Sequence, residues 1–228
     1  SKDPAWIVTL RYNNYRIYPG AAQQRFVDFR NENDQFYFDR FSRDPQWEEE
    51  LEVALEEIGL KSRDRNVYTL RKWSGETVQD KVYEAVKFTN DYYDFLTEKG
   101  FVLQQKLERE YSLRTVELTM ESKEKEDWFD LYATIRFGEY TLPFVKLRRH
   151  ILQNERLYEL PDGTFAVIPE EWFARYRAVF EFGQIDKETL RIHKQHFSQV
   201  DEALRKKHAS TIDHLEKLNR MDGLPAVA

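Results

Sequence analysis

The stretch from residue 127 to residue 183 limits the possible fold more than any other part of this chain. Over residues 129–137 apolar side chains alternate with more polar ones, which predicts a strand with one buried face. Pro143 then begins a short helix, and Pro169 opens a second helix that Gly183 ends. A hairpin is predicted between these helices. The order strand, helix, hairpin, helix predicts an α+β fold in which antiparallel hairpins pack with helices.

The predicted hairpin is centred on Pro161-Asp162-Gly163. Residues 157–160 and 164–168 flank this turn sequence and are mostly apolar or aromatic. Gly adopts a backbone conformation that other residues resist, and Pro and Asp favour the earlier turn positions. We therefore expect the two flanking segments to pair with each other.

Residues 1–72 predict a separate β-rich region with one helix. Apolar and aromatic residues alternate over residues 6–12, and Asn13-Asn14 is a turn sequence because Asn tolerates positive φ. A second hairpin is predicted around the polar residues 31–34, between Phe26–Phe29 and Phe36–Phe38. These signals together predict a β meander.

The helix of this region is marked at both ends. Asp44 can cap its N-terminus, Pro45 suits the first helical position and Gly59 can close its C-terminus. An acidic run over residues 48–57 occupies much of one face. We interpret that run as a solvated face whose charge favours the positive end of the helix dipole. An acidic binding patch is the alternative.

The rest of the chain predicts two further regions. Residues 73–183 form an α+β subdomain that opens with a helix over residues 74–99 and continues into the stretch described first. From Asp186 onward the apolar residues lie three to four apart, and Gly and Pro are absent until Gly223. Residues 184–228 are therefore expected to form a helical segment, either one long helix or a hinged pair, that leads to a linker.

Composition excludes several classes of protein. The formal net charge of −6 argues against a free-standing nucleic-acid binder, which usually carries a basic excess, but it leaves room for a local basic face. The chain has no Cys, so it can form neither a disulfide framework nor a thiolate metal site. The lack of Cys also fits a reducing, cytosolic compartment. No apolar run approaches the roughly 20 residues of a membrane helix.

Motifs for nucleotide binding and catalysis are missing from the sequence. There is no phosphate-binding loop, no dinucleotide fingerprint and no nucleophile elbow. His193 and His196 can meet on one helix face, but no carboxylate lies at a metal-ligand offset, so we assign no metal site. The carboxylates Asp127 and Asp130 are interpreted as solvated groups at a strand edge, and Glu170-Glu171 as charges at a helix N-terminus, rather than as a general acid–base pair.

Basic clusters are the remaining candidates for a binding surface. One crowds the short helix after Pro143, and two others lie in the predicted C-terminal helical segment. Lys and Arg at such spacing can neutralise phosphates without reading bases, although a charge-balanced, solvated helix is the simpler interpretation. The nucleic-acid contact candidates are Lys146, Arg148, Arg149, His150, Arg191, Lys194, Arg205, Lys206 and Lys207.

A series of short motifs in the first-described stretch resembles a known family. The order is a Trp-containing strand, a Leu-Pro helix start, a Leu-Pro-x-Gly hairpin and a Pro-Glu-Glu-Trp helix. It resembles the region just upstream of the ATPase core in bacterial SNF2-family helicases, which are DNA-dependent ATPases related to SWI2/SNF2 remodellers. The resemblance spans roughly residues 115–197. Its residues are Asp127-Trp128-Phe129-Asp130, Phe137-Gly138, Leu142-Pro143-Phe144, Leu147-Arg148, Ile151-Leu152, Leu160-Pro161-Asp162-Gly163 and Ile168-Pro169-Glu170-Glu171-Trp172-Phe173.

The resemblance implies a non-catalytic accessory fragment of a longer protein. In that family the helicase core follows, whereas this chain reaches Ala228 before any phosphate-binding loop or acidic ATPase box. The implied partners are the ATPase core of the same polypeptide and duplex DNA, with no membrane. ATP and Mg²⁺ would belong to that core and not to this fragment, and the implied location is cytoplasmic and nucleoid-associated. The alternative is a stand-alone protein-interaction module, because aromatic residues dominate interface hot spots.

Overall fold

A computed structural model describes residues 3–13, 15–33 and 35–196 of the chain. It confirms the predicted α+β class, with antiparallel sheets and helices in both halves. The chain divides into two compact units, Ser1–Gln104 and Gln105–Ala228. This division differs from the predicted boundaries, which follow residues 72 and 183. No helix within the described ranges has the length and apolar composition needed to cross a lipid bilayer.

The first unit contains three small antiparallel sheets. The largest has the order β1-β7-β6, and the other two are the hairpins β2–β3 and β4–β5. The hairpins confirm the predicted turns, since Asn13 and Asn33 both adopt positive φ. The strands are β1 (Trp6–Ile7), β2 (Leu10–Tyr12), β3 (Tyr15–Ile17), β4 (Arg25–Glu32), β5 (Gln35–Ser42), β6 (Leu60–Asp64) and β7 (Val67–Leu70).

Three helices complete the first unit: α1 (Pro45–Glu57), α2 (Val78–Asp91) and α3 (Tyr93–Glu98). The predicted cap of α1 is confirmed, because the Trp47 N–H donates to the Asp44 carboxylate at 3.1 Å. The predicted single helix over residues 74–99 is instead α2 and α3, separated at Tyr92. One buried apolar cluster of this unit consists of Leu55, Ile58, Leu60, Tyr68 and Leu96.

The second unit is built on one five-stranded antiparallel sheet. Strand β9 lies at its centre, with β8 along one edge and with β10 and β14 sharing the other. The strands are β8 (Val116–Glu124), β9 (Trp128–Phe137), β10 (Tyr140–Pro143), β13 (Gln184–Asp186) and β14 (Thr189–His193). The predicted hairpin around residues 161–163 is confirmed as β11 (Leu157–Glu159) and β12 (Phe165–Val167), and Gly163 adopts a φ of 83°.

The helices of the second unit pack on the inner face of this sheet. A 3-10 helix (Phe144–Leu147) runs into α4 (Arg148–Gln153), and α5 (Glu170–Phe182) follows the hairpin. The predicted order strand, helix, hairpin, helix is found with one correction: strand β10, which was not predicted, lies between β9 and the 3-10 helix and ends at Pro143. The core joins alternate residues of β9 to Phe144, Trp172 and Phe180. Gly183 ends α5 where an added Cβ would lie 2.4 Å from the Val179 carbonyl oxygen and 2.8 Å from Leu190.

The prediction of a helix from residue 184 onward is wrong for its first part. Residues 184–186 and 189–193 are strands β13 and β14, and β14 pairs with β9 in register from Thr189 to His193. Leu190 and Ile192 point into the core two residues apart, which is strand periodicity. Sheet pairing therefore overrides the helical spacing that Leu190 shares with Phe197. The remainder of the predicted segment, from residue 197, lies outside the described residues.

Candidate interaction surfaces

One face of the β4–β5 hairpin carries a row of exposed apolar side chains. Val27, Phe29, Phe36 and Phe38 lie on the same side of the ribbon, because Phe29 pairs directly with Phe38 and the others lie two residues along. Phe38 is 70% exposed and Phe36 is 62% exposed. The Phe29 ring lies 5.3 Å from the Phe38 ring and 5.5 Å from the Phe36 ring. We call these four residues the aromatic face.

The charged residues beside the aromatic face are both arginines. Arg25 and Arg40 lie on the same side of the ribbon, and Arg40 is the cross-strand partner of Val27. Both are exposed, and neither makes an ion pair with any described residue. Carboxylates and their partners lie on the reverse side, where Arg30 pairs with Asp39 and with Glu32. The hairpin therefore separates a cationic, aromatic face from an acidic reverse face.

The base of the hairpin is anchored by a buried ionic cluster. The Arg43 guanidinium pairs with both carboxylate oxygens of Glu48, and the two side chains are 4% and 10% exposed. The Tyr12 hydroxyl donates to Glu48 Oε1 at 2.6 Å and accepts from the Asp44 N–H at 3.0 Å. Arg43 also donates to the Ala21 carbonyl oxygen. These contacts connect the end of β5 to α1 and to the β2–β3 hairpin.

The environment of Glu48 corrects the interpretation of the acidic run. Burial by itself raises the pKa of the Glu48 carboxyl, but hydrogen bonds from Arg43 and Tyr12 outweigh burial and hold that pKa below its ordinary value. Glu48 is thus a buried, charged anchor rather than part of a solvated face. Glu49, Glu50, Glu56 and Glu57 are exposed, as predicted for the rest of the run.

The basic cluster after Pro143 lies on the 3-10 helix and α4. Lys146 is exposed and Arg148 is half-buried, and neither makes an ion pair with a described residue. Arg149 donates to Gln153 at 3.0 Å and to Glu155 at 3.2 Å. Burial lowers the pKa of His150, so its imidazole is neutral at neutral pH. Of these four candidates, Lys146 and Arg148 are the ones with charges not already balanced by a carboxylate.

Arg191 and Lys194 lie at one end of the second unit's sheet, beside acids. Arg191 contacts Asp130 at 3.2 Å and Asp186 at 3.0 Å, and Lys194 contacts Glu124 at 2.8 Å. The remaining candidates, Arg205, Lys206 and Lys207, lie outside the described residues. The structure thus places the described candidates on two separate parts of one unit, the 3-10 helix with α4 and the end of β14.

Asp130 was predicted to be solvated at a strand edge, and that interpretation is wrong. Its side chain is 2% exposed on the central strand β9, between Arg191 and Lys125, whose Nζ lies 2.6 Å from Oδ2. The hydrogen bond from Lys125, with Arg191 beside it, lowers the pKa of the Asp130 carboxyl. Asp127 is exposed, whereas Asp130 is buried, so the two carboxylates of the sequence pair lie in different environments.

The two histidines considered as metal ligands lie in different settings. His193 ends β14 and packs edge-on against Trp128, with ring centroids 4.9 Å apart. His196 stacks on Phe182 at 4.7 Å. Across residues 3–13, 15–33 and 35–196 no group of three His, Asp or Glu is arranged to hold a metal ion.

A shallow cleft of about 480 Å³ lies between α4 and α5 in the second unit. Arg177 spans it, donating to the Ile151 and Leu152 carbonyl oxygens and to Asn154 Oδ1. Arg156 approaches Glu170 at 3.4 Å across the same opening. Because Arg177 bonds protein oxygens and Glu170 faces Arg156, the charged groups of the cleft serve to join α4 to α5.

The aromatic face was missed at the sequence level, although a signal for it exists. The sequence predicts the hairpin but assigns no role to its individual aromatic residues. Both faces of a two-stranded ribbon carry aromatics here: Phe26 and Phe41 on one, Phe29, Phe36 and Phe38 on the other. A ribbon packed on one side can bury only one of these sets. An excess of aromatics on both faces therefore indicates exposure of one.

Comparisons with family models, with curated proteins and with solved structures found no match for this chain.

Proposed function

We propose that this chain is a non-catalytic accessory region of a bacterial SNF2-type DNA-dependent ATPase, acting by binding rather than by chemistry. The observation that supports the proposal is where the family-like residues lie. Phe144, Leu147, Ile151, Leu160, Ile168, Trp172 and Phe173 all belong to one buried core. Residues that resemble a family and also build one core indicate a shared scaffold, although a scaffold alone does not define function.

The proposed partners are the ATPase core of the same polypeptide and duplex DNA, in the cytoplasm and associated with the nucleoid. Lys146 and Arg148 are the described candidates best suited to meet phosphates, because neither forms an ion pair with a carboxylate among the described residues. ATP and Mg²⁺ belong to the proposed core. In this arrangement the second unit positions DNA or the core, and Lys146 and Arg148 supply sequence-independent affinity.

A salt titration of DNA binding tests the DNA part of the proposal. Binding of a labelled duplex to the 228-residue chain is followed by fluorescence anisotropy as salt is raised. Phosphate contacts predict that affinity falls steeply, and the double variant Lys146→Ala/Arg148→Ala reduces the slope of log affinity against log salt by about 2. The matched control is Lys61→Ala/Arg63→Ala, which removes two exposed cations from β6 in the first unit.

The ATPase part is tested on a longer protein that places an ATPase core after this chain. Removing residues 1–228 is expected to change DNA-stimulated ATP hydrolysis or its salt dependence. Unchanged hydrolysis, together with no duplex binding by the chain at low salt, would contradict the proposal. The reading frame beyond Ala228 gives a direct check, since the proposal requires a phosphate-binding loop and an acidic ATPase box there.

A second candidate function is a stand-alone protein-interaction module. The aromatic face favours it, because a continuous row of exposed Phe side chains is typical of an interaction site. The salt titration described above distinguishes the two candidate functions. A protein-interaction module without phosphate contacts shows no salt-dependent DNA binding, and its affinity for a protein partner depends on Phe29, Phe36 and Phe38.

A further inference from the structure

We infer that the aromatic face of the β4–β5 hairpin binds an acidic, apolar segment of a partner protein. The inference does not depend on the assignment to an SNF2-type ATPase. Four apolar side chains point away from the rest of the first unit, and the least exposed of them, Val27, is still 51% exposed. Leaving such a row in water is unfavourable, so a partner that covers it gains hydrophobic free energy.

The aromatic face is preorganised by contacts within the hairpin and at its base. Phe29 and Phe38 are direct cross-strand partners, and the Phe29 ring contacts the rings of both Phe38 and Phe36. At the base, Phe26 and Phe41 stack at 5.0 Å, and the Tyr15 hydroxyl donates to the Val27 carbonyl oxygen at 2.7 Å. A pre-ordered aromatic surface loses little conformational entropy on binding.

Charge specifies what kind of protein segment fits. Arg25 and Arg40 flank the apolar row, and neither forms an ion pair with a described residue. A complementary partner therefore presents apolar side chains with Asp or Glu beside them. Arg and aromatic residues are the types most often found in interface hot spots, and carboxylates on the partner would fix register and raise the association rate.

The size of the face favours a segment over a second copy of this chain. Each strand has eight residues, so the ribbon offers roughly 27 Å by 10 Å. A stable dimer buries about 800 Å² on each partner, which is well beyond this area.

The acidic surroundings disfavour nucleic acid as the occupant. Residues 1–104 contain 15 Lys and Arg against 19 Asp and Glu, which gives this part of the chain a formal charge of −4. The reverse face of the same ribbon carries Glu32 and Asp39. A polyanion approaching two arginines would meet this negative field, whereas a short acidic peptide brings fewer charges and gains apolar contact.

Selection from a displayed library of random short peptides tests the inference on the intact chain. We expect the selected peptides to combine Phe, Leu or Trp with Asp or Glu. Phe38→Ser is expected to weaken their binding about tenfold or more, since it removes a central apolar contact. Arg25→Glu/Arg40→Glu is expected to weaken the binding of acidic peptides by a similar factor. The matched controls are Val102→Ser, at an exposed apolar residue elsewhere in the unit, and Arg63→Glu/Arg65→Glu.

Each of the following outcomes would overturn the inference. Failure to select any peptide that depends on Phe38 removes the docking role. Selection of basic peptides, or binding that the arginine variant leaves unchanged, removes the charge argument. Binding of oligo-dT that Phe38→Ser abolishes assigns the face to single-stranded nucleic acid, where bases stack on aromatics. A dimer in sedimentation that Phe38→Ser dissociates assigns it to a second copy.

Discussion

The β4–β5 hairpin of the first unit and the central sheet of the second unit use the same residue types for opposite purposes. Along β9 the odd-numbered residues 131–137 are covered by the 3-10 helix and by α4 and α5, and Phe137 is 1% exposed. Along β4 and β5 no such layer of described residues covers the aromatic face, whose side chains are all more than half exposed. Alternation predicts which side chains share a face, but the presence of a second layer decides whether that face is core or surface.

The two regions also differ in how their ionic clusters are built. Glu48 and Arg43 are both buried at the base of the hairpin, and Tyr12 donates a further hydrogen bond to Glu48 Oε1. Asp130 is buried in the sheet, but its partners Lys125 and Arg191 are about half exposed. Removing one charge therefore leaves a fully buried partner in the first case and cations that water can reach in the second.

The largest expected effect comes from removing an aromatic side chain from the core that covers the sheet of the second unit. Phe144 is fully buried against Tyr176 and Phe180, with ring centroids 5.1 and 4.8 Å away. Phe144→Ala is expected to lower the free energy of unfolding by about 4 kcal/mol, because it leaves a cavity. Urea unfolding measures the change. A loss below about 1 kcal/mol would contradict the placement of Phe144 in the core.

Removing the charge of Glu48 is expected to have the next largest effect. Glu48→Gln leaves the Arg43 guanidinium buried without a counter-charge, so we expect a loss of about 3 kcal/mol. Hydrogen exchange followed by mass spectrometry is expected to show faster exchange in the hairpin and α1. Glu49→Gln, at an exposed residue on the same helix, is the control and should change stability by no more than about 0.5 kcal/mol.

The charge of Asp130 is expected to contribute less to stability than the charge of Glu48, and its contribution is expected to depend on pH. Asp130→Asn should lower the free energy of unfolding by about 2 kcal/mol at pH 7, because it removes the charge that pairs with Lys125 and Arg191. The loss is smaller than at Glu48 because water can reach both of these cations. The folded pKa of Asp130 is lowered, so its contribution is present above the unfolded pKa of about 3.9 and is lost as pH falls through the folded pKa. The difference in unfolding free energy between the wild type and Asp130→Asn should therefore decrease in strong acid.

Urea titrations at a series of pH values measure that difference. Asp127→Asn is the control, since Asp127 is exposed beside the same strand. A difference that is constant with pH would show that Asp130 contributes shape rather than charge.

The smallest effect on stability is expected on the aromatic face. Phe38→Ala makes the same chemical change as Phe144→Ala, but at a side chain that is 70% exposed. We expect the free energy of unfolding to change by no more than about 0.5 kcal/mol. The two variants are compared in the same urea experiment. A loss at Phe38 that approaches the loss at Phe144 would show that the aromatic face is covered in solution.

Most of the secondary structure could be predicted, because its signals are local. Asp44, Pro45 and Gly59 marked both ends of α1, and the turn at residues 161–163 was recognised from three residues. Strand β14 was missed because Leu190 fits both a strand and a helix. Only pairing with β9 decides between them, and such pairing between residues about 60 apart leaves no local pattern.

The candidate surfaces were harder to predict than the fold. The basic cluster after Pro143 was predicted, but the pairing of its charges was not. Glu155 reaches Arg149 only because the chain turns at Asn154, the left-handed C-cap of α4. The two carboxylates that are buried, Glu48 and Asp130, were both interpreted as solvated. In each case the partners, Arg43 and Tyr12 or Arg191 and Lys125, come from other elements, so sequence position alone does not reveal them.

The sequence by itself determined the α+β class, the ends of α1 and α5, the turns of the hairpins and the inward residues of β9, because each depends on neighbours within a few residues. The tertiary structure decided that β14 joins the sheet, that Asp130 and Glu48 keep their charge while buried, and that Phe29, Phe36 and Phe38 face water. Burial and pairing depend on which distant elements meet, and that is a property of the folded chain.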